Sequence, residues 1–198
     1  MGEKVDDLYE QLKDKTFYGG ELTAEELSYV LSKIEFFTEK EKAPAELMSY
    51  LVILAKATGC RYRDLIEKYL YSEEPIVSSK VLYLLCDIMD LEKEYLNEIK
   101  IFMQDGFTYM RTQAIWCAAS YLYRHHDAEM VKILLQIVEN YKESDDMRED
   151  AYKALKSAIQ YKVKDIVEDE EIIERIDEGS IDSKVLAAAR VLISEQSQ

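Results

Sequence analysis

The sequence predicts an all-α fold of stacked helix pairs, and three features of the chain lead to this prediction. One short pattern, in which two apolar residues one helical turn apart lead into an apolar or small run, recurs along the chain. Within each copy, apolar residues follow one another at three- and four-residue steps, as on one face of an α-helix. The 198 residues include only two prolines and six glycines, too few for a chain of many tight β-turns.

The recurring pattern has a period of 30 to 37 residues. Its copies begin at Leu47 (a weaker copy), Val77, Met110, Met147 and Ile181, with successive starts 30, 33, 37 and 34 residues apart. A period of this length is typical of stacked-repeat proteins, in which each helix pair buries its apolar face against its neighbours. Such proteins usually present a surface, so the repeat favours a binding function without naming the ligand.

The helix bounds follow from start and stop signals. An N-terminal helix is predicted at about 3–15, because Gly19 and Gly20 follow it as a stop. Thr23–Glu26 forms a capping box, in which the hydroxyl accepts from a first-turn amide and the glutamate reaches back. From there the helices come in pairs. Their first members are predicted at about 23–38, 61–72, 92–104, 127–142 and 165–177, and their second members at about 44–58, 75–90, 108–124, 146–161 and 181–195.

The short connections support this division into helices. Pro44 and Pro75 suit a first helical turn, because the amide hydrogen that proline lacks would be unbonded there. The other connections contain Asp105-Gly106, Ser144-Asp145 and Gly179-Ser180, which favour helix starts. No long linker divides the chain, so we predict one domain over 1–198, with an N-terminal capping helix at 1–20 and the repeats at 23–195.

Composition and charge narrow the class of function. The longest apolar runs are far shorter than the roughly 20 residues of a membrane span, and the N-terminus lacks a secretory signal, so no membrane partner is expected. The net charge of −15, with no basic stripe, argues against nucleic-acid binding and favours a basic protein partner. Cys60, Cys86 and Cys117 follow no disulfide or metal spacing. Cys86 and Cys117 are expected to be packing residues on helices, and the cytoplasm is the expected compartment.

The second helices resemble those of HEAT repeats. The turn aspartate and the apolar-Arg-x-x-Ala pattern are carried best by Asp105–Ala114 and Asp145–Ala151, with Met110-Arg111 and Met147-Arg148 in the family's Val-Arg places. The resemblance covers about 23–195. It implies a right-handed α-α superhelix of about five helix pairs preceded by one N-terminal helix. The proline common in the family's first helix is missing, and the arginine is present in two of five units. Tetratricopeptide repeats have a period of about 34 residues, but their Trp-x-x-Leu-Gly-x-x-Tyr pattern is absent.

In HEAT-like proteins the second helices line the concave side, which implies a candidate binding surface here. The row six places after each apolar start contains Ile53, Tyr83, Trp116, Lys153 and Ala187. The buried rows are expected at steps zero, four, seven, eight and eleven, so this row should lie outside the core. The predicted partner-binding set is the first four of these residues together with the flanking Tyr50, Asp87, Ser120, Tyr123, Glu149 and Asp150. Exposed aromatic rings edged with carboxylates are typical of binding hot spots. The alternative is a tightly curved solenoid in which these side chains pack against one another.

Neither a catalytic nor a cofactor site is predicted. His125-His126-Asp127 lies at a helix end, and adjacent histidines do not share a helix face, so a zinc site would need ligands that the sequence does not locate. Carboxylate pairs such as Glu73-Glu74 are explained by charge compensation at helix N-termini. A glycine-rich phosphate loop is absent. We therefore expect no enzyme activity, no metal and no cofactor.

Three functional hypotheses follow. The leading one is a non-enzymatic module that binds a basic protein partner through the second-helix surface, with the acidic regions 1–40 and 161–178 as the alternative contact. A small acidic chain of this type resembles bacterial immunity proteins, which implies that carboxylates mimic phosphates and aromatic rings anchor a toxin domain such as a nuclease. The second hypothesis is a HEAT-like DNA glycosylase or chromophore-handling enzyme using Tyr83, Asp87 and Trp116, which lacks a basic groove. The third is a scaffold or regulatory adaptor.

Overall fold

The structure, a computed structural model, describes residues 7–40, 44–166 and 182–194, and the regular structure of these residues is entirely helical. The all-α prediction is therefore confirmed. The chain divides into two compact units, Met1–Leu91 and Glu92–Gln198, which we call unit 1 and unit 2. The single domain expected over 1–198 stays a prediction, as does the superhelix of five HEAT-like pairs.

Unit 1 is built around its third helix. Its helices are α1 (Asp7–Phe17), α2 (Ala24–Lys40), α3 (Pro44–Thr58), α4 (Arg63–Glu67) and α5 (Pro75–Tyr83), with a 3₁₀ turn at Gly59–Tyr62 and a π-helical turn at Leu84–Ile88 that continues α5. α3 packs against each of the other four helices. The helix expected at 61–72 is shorter than predicted: α4 ends at Glu67, and the residues that follow it form turns.

The helix stop after α1 and the helix start of α2 are both formed as predicted. Gly19 has a φ of +76°, and the Gly20 and Gly19 amides donate to the carbonyls of Lys15 (2.8 Å) and Thr16 (3.2 Å), which is the Schellman arrangement. At the start of α2, the Glu26 amide donates to the Thr23 hydroxyl at 3.2 Å, and the Thr23 amide donates to the Glu26 carboxylate at 2.7 Å. The capping box is therefore formed in full.

The described part of unit 2 contains two complete helix pairs and one further second helix. After a 3₁₀ turn at Glu92–Tyr95 come α6 (Leu96–Phe102), α7 (Thr108–Leu122), α8 (Ala128–Glu139), α9 (Asp145–Ile166) and α10 (Ser183–Ser194). α6 pairs with α7 and α8 with α9, while α7, α9 and α10 lie side by side as a layer of second helices. α9 runs five residues past its predicted end at 161, so residues 165 and 166, where the next first helix is predicted to begin, belong to α9 instead. The rest of the helix predicted at 165–177 lies outside the described residues.

The buried rows predicted from the repeat are confirmed. At steps zero, four, seven, eight and eleven, the buried residues are Leu47, Leu51, Leu54 and Ala55 in α3; Val77, Val81, Leu84 and Leu85 in α5 and the π-helical turn; Met110, Ala114, Cys117, Ala118 and Tyr121 in α7; Met147, Ala151, Ala154, Leu155 and Ala158 in α9; and Val185, Ala189 and Leu192 in α10. Thr58, Ile88 and Ala188 are half-buried, and Ile181 lies outside the described residues. Each second helix therefore turns the same face to the core.

A second contact recurs at the position after three of the five apolar starts. Ser78, Arg111 and Arg148 occupy this position in α5, α7 and α9. Ser78 Oγ donates to the carbonyl of Ser72, in the connection between α4 and α5, at 3.0 Å. The two arginines donate to carbonyls at the end of the preceding helix: Arg111 Nε to Met103 at 3.1 Å and Arg148 Nε to Val138 at 2.9 Å. The last carbonyls of a helix lack partners within the helix, so this contact satisfies one of them in each pair of unit 2.

Arg111 also links two successive pairs of unit 2. Its guanidinium donates to both carboxylate oxygens of Glu143, each at 2.8 Å, and both side chains are largely buried. Hydrogen bonds from Arg111 hold the pKa of Glu143 below its ordinary value, because they stabilise the charged carboxylate. The bidentate geometry fixes the turn between α8 and α9 against the start of α7.

We expect the stability contributed by this ion pair to depend on pH. The Glu143 pKa is lowered by folding, so the contribution is present above the unfolded carboxyl pKa of about 4.3 and is lost as the pH falls through the folded value. Glu143→Gln should lower the free energy of unfolding by about 1–2 kcal/mol at pH 7, and the difference from wild type should shrink on acidification. Urea denaturation at several pH values measures this, with Glu149→Gln as a control at an exposed ion pair, where a much smaller change is expected. A difference that is constant with pH would contradict the assignment.

Candidate protein-binding surface

In unit 1, the predicted binding row is partly buried. Tyr50 and Ile53 are only 5% and 2% exposed, so the expectation that they lie outside the core is wrong. α1 packs on α3 and covers this side of it, with the Tyr9 ring 5.5 Å from the Tyr50 ring in an edge-to-face contact. Tyr29 and Phe37 of α2 complete an aromatic cluster around Tyr50, at 6.2 and 5.8 Å.

Two predicted residues of unit 1 do reach the surface. Tyr83 is half-buried, and the Lys80 ammonium lies 4.5 Å from the centre of its ring, as in a cation–π contact. Asp87 is exposed within the π-helical turn. In this turn the Met89 amide donates to the Leu84 carbonyl at 3.0 Å, an i to i+5 bond that inserts an extra residue into the helix.

In unit 2, the predicted row lies outside the core. Trp116, Lys153 and Ala187 are all exposed at step six of α7, α9 and α10. The flanking residues Glu149 and Tyr123 are exposed too, whereas Ser120 and Asp150 are half-buried. Because α7, α9 and α10 pack side by side, these positions belong to one layer of helices.

A stripe of three aromatic residues runs along α7, and we call it the aromatic ridge. It consists of Tyr109, Trp116 and Tyr123, which are 50%, 50% and 48% exposed. Residues seven apart lie nearly on one line of a helix, so the three rings share a face. Fourteen residues at 1.5 Å each give the ridge a length of about 21 Å. Tyr109 is absent from the predicted set, although its spacing of seven from Trp116 is visible in the sequence.

The equivalent stripe of α9 is charged. Asp146 and Glu149 hold the steps that correspond to Tyr109 and Thr112 of α7, and both are exposed. Glu149 and Lys153 form an i,i+4 ion pair at 2.8 Å, which lowers the pKa of Glu149 and raises that of Lys153. Asp145 adds a third exposed carboxylate at the start of the helix. The N-terminal end of this stripe is therefore acidic, and its centre is neutralised by the ion pair.

On α10 the stripe is small and apolar. Ala187 and Val191 are exposed at the steps that correspond to Trp116 and Ser120. We define the second-helix surface of unit 2 as the outward stripes of α7, α9 and α10: Tyr109, Trp116, Ser120, Tyr123, Asp146, Glu149, Lys153, Ala187 and Val191. Large rings contribute contact area with few rotatable bonds, and the carboxylates beside them attract cationic groups. The arrangement is chemically equipped for protein binding.

The helix-end residues of the His125-His126-Asp127 segment and the cysteines on helices make structural contacts. Asp127 accepts the Met130 amide at 2.9 Å as the N-cap of α8, and its second oxygen lies 2.8 Å from the Lys100 ammonium. The His125 ring packs 4.9 Å from that of Tyr121. Cys86 and Cys117 are buried, as predicted for packing residues. Among the described residues there is no cluster of three or more side chains arranged to hold a metal ion.

Within the described ranges, no helix has the length and apolar character needed to cross a membrane. The helical architecture is compatible with an α-solenoid. A comparison of the chain with protein-family models, curated proteins and solved structures gives no match.

Proposed function

We propose that the protein is a non-enzymatic binding module that holds a basic protein partner on the second-helix surface of unit 2. The observation that carries the proposal is the aromatic ridge. Three half-exposed rings on one helix are unusual on a soluble surface unless a partner covers them, because each ring leaves a large apolar area in water. Tryptophan and tyrosine are also the residues most enriched at binding hot spots.

Charge supports a basic partner. The chain has a net charge of −15, and exposed carboxylates lie on α9 beside the ridge. Complementary fields speed the encounter of two proteins and disfavour partners of the wrong charge. The rings then supply the short-range affinity, because their burial removes apolar surface from water.

The specific form that we propose is an immunity protein that neutralises a toxin domain. A nuclease toxin exposes a basic groove for its nucleic-acid substrate, and a surface with carboxylates beside aromatic rings matches such a groove in charge. Asp146 would stand where a phosphate binds, with the neighbouring exposed Asp145 beside it, and Trp116 would anchor the complex. A scaffold or adaptor would use the same surface with a different partner, so the partner's identity separates the two.

The test is capture of a partner followed by measurement with pure components. Tagged wild-type protein is used as bait in its native lysate, and any retained protein is identified and purified. We expect a basic protein whose dissociation constant rises with salt, since surface charges more than about 10 Å apart are screened at 0.1 M salt. A partner that is acidic, or that binds with an affinity unaffected by salt, would contradict the proposal. Inhibition of a nuclease activity of the partner would establish the immunity form.

A further inference from the structure

A groove in unit 1 is not used by the proposed function. It has a volume of ≈ 360 Å³ and lies where the end of α2, the start of α3 and the connection from α4 to α5 meet. The residues that determine its chemistry are Phe37, Thr38, Tyr69, Ser72, Glu73 and Glu74. Its volume falls within the range of roughly 300–1,000 Å³ typical of ligand pockets.

The hydroxyl groups of the groove have a fixed direction of donation. The Thr38 hydroxyl lies 2.6 Å from the Ile34 carbonyl and 2.6 Å from the Tyr69 hydroxyl. A carbonyl cannot donate, so the single Thr38 proton goes to Ile34, and Tyr69 must donate its own proton to Thr38. The Tyr69 oxygen therefore has only lone pairs left for a ligand.

The carboxylates of the groove are also acceptors. Glu73 and Glu74 are exposed, and neither side chain takes part in an ion pair with the described residues. Glu74 is the N-cap residue of α5, yet its side chain makes no capping hydrogen bond. Ser72 adds a hydroxyl that accepts from the Glu74 amide at 3.2 Å. The polar lining is dominated by acceptors and carries two negative charges, which complements a cationic hydrogen-bond donor.

Two aromatic rings complete the lining. The Phe37 ring is held from one side by the Tyr50 ring, stacked at 5.8 Å with an interplanar angle of 22°. Tyr69 is held by its bond to Thr38. Cations bind favourably over aromatic faces, and the guanidinium of arginine stacks on them as well. Arginine also offers five N–H donors and no acceptor, which matches the acceptor-rich lining.

We propose that this groove binds the side chain of an arginine on a partner protein. The two carboxylates would receive its N–H groups, and Phe37 and Tyr69 would face the plane of the guanidinium. The site lies in unit 1 and uses none of the residues of the second-helix surface. The groove would give the basic partner of the proposed function a second contact, and to that extent this inference rests on the proposed function. Binding of arginine to the groove can nevertheless be tested without the partner.

The experiment is a ¹⁵N chemical-shift titration of the full chain with the blocked tripeptide acetyl-Gly-Arg-Gly-amide. We expect shifts concentrated at the amides of Thr38, Tyr69, Glu73 and Glu74, with a dissociation constant in the millimolar range, about what one anchored side chain supports. The citrulline tripeptide, a neutral analogue of nearly the same shape, should cause none of these shifts. Glu73→Gln/Glu74→Gln should weaken arginine binding about tenfold, because charge-assisted bonds become neutral ones.

The control variant is Glu21→Gln/Glu25→Gln, which removes two exposed carboxylates of unit 1 near the start of α2, at the other end of this helix from the groove, and should leave arginine binding unchanged. If the double glutamine variant loses its dispersed spectrum, Glu73→Gln alone makes the same test with an expected loss of about threefold. Equal shifts with citrulline, no shifts at the groove, or equal weakening by the control variant would each overturn the proposal. If the peptide fails while a captured basic protein still binds, the groove assignment fails and the proposed function stands.

Discussion

Replacing Trp116 with alanine should weaken binding of the captured basic partner by about 30-fold or more, which corresponds to about 2 kcal/mol. Trp116 is at the centre of the aromatic ridge, with Tyr109 and Tyr123 one heptad away on either side, and central aromatic residues are where binding energy concentrates. The loss should appear mainly as faster dissociation, since truncation removes short-range contacts and leaves the charge of the surface unchanged. Isothermal titration calorimetry and surface plasmon resonance with the purified partner measure both quantities.

Ile101 offers a matched control for this substitution. It is a similarly exposed apolar residue of unit 2, but it lies on α6, a first helix, and not on a second helix. Ile101→Ala should therefore change the affinity by less than about threefold, as most exposed contacts outside a hot spot do. If the two substitutions have equal effects, or if Trp116→Ala binds as wild type does, the second-helix surface of unit 2 is not the contact.

The second large effect concerns stability. Leu155→Ala should lower the free energy of unfolding by about 2–5 kcal/mol, because it opens a cavity in a close-packed interior. Leu155 is fully buried on α9, and this helix packs against α7, α8 and α10. Trp116 is the chain's single tryptophan and lies in the same unit, so its fluorescence in a urea titration reports the unfolding of the part of the protein that is changed.

Lys153→Ala is the control on the same helix. Lys153 lies two residues before Leu155, but its side chain is exposed and pairs with the exposed Glu149. Its replacement should leave the free energy of unfolding close to that of the wild type, because an exposed ion pair contributes little to stability. A destabilisation by Lys153→Ala as large as that by Leu155→Ala would mean that the core and outward faces of α9 are assigned incorrectly.

The repeat made the second helices predictable from sequence. α3 was predicted at 44–58 and lies at Pro44–Thr58, and the core-facing steps of α7 and α9 are buried without exception. The prediction was possible because a helix face that packs in the core has apolar residues at three- and four-residue spacing. This spacing can be read from one helix alone, without knowing how the rest of the protein packs. The capping box of Thr23 and Glu26 is equally local, since all its hydrogen bonds fall within four residues.

The candidate surface was only partly predictable. The spacing of seven residues that places Tyr109 on one line with Trp116 and Tyr123 is present in the sequence, so the full ridge could have been found there. The hydrogen bond between the Thr38 and Tyr69 hydroxyls in the groove could not have been predicted from the sequence. The two residues are 31 positions apart and meet only because α2 packs against the connection after α4. The same holds for the ion pair between Arg111 and Glu143.

The sequence by itself determined that this chain is helical, where its second helices lie and which face of each is apolar, because these properties depend on residues within one or two turns. Only the tertiary structure decided which outward faces remain exposed. α3 and α7 carry the same repeat pattern, yet at step six Ile53 is buried in α3, against which α1 packs, while Trp116 stays exposed on α7. The spacing of apolar residues in the repeat reflects contacts between neighbouring helix pairs. It does not indicate how α1, a helix outside the repeats, packs on α3. Exposure depends on such long-range packing, which the spacing of residues within one helix does not determine.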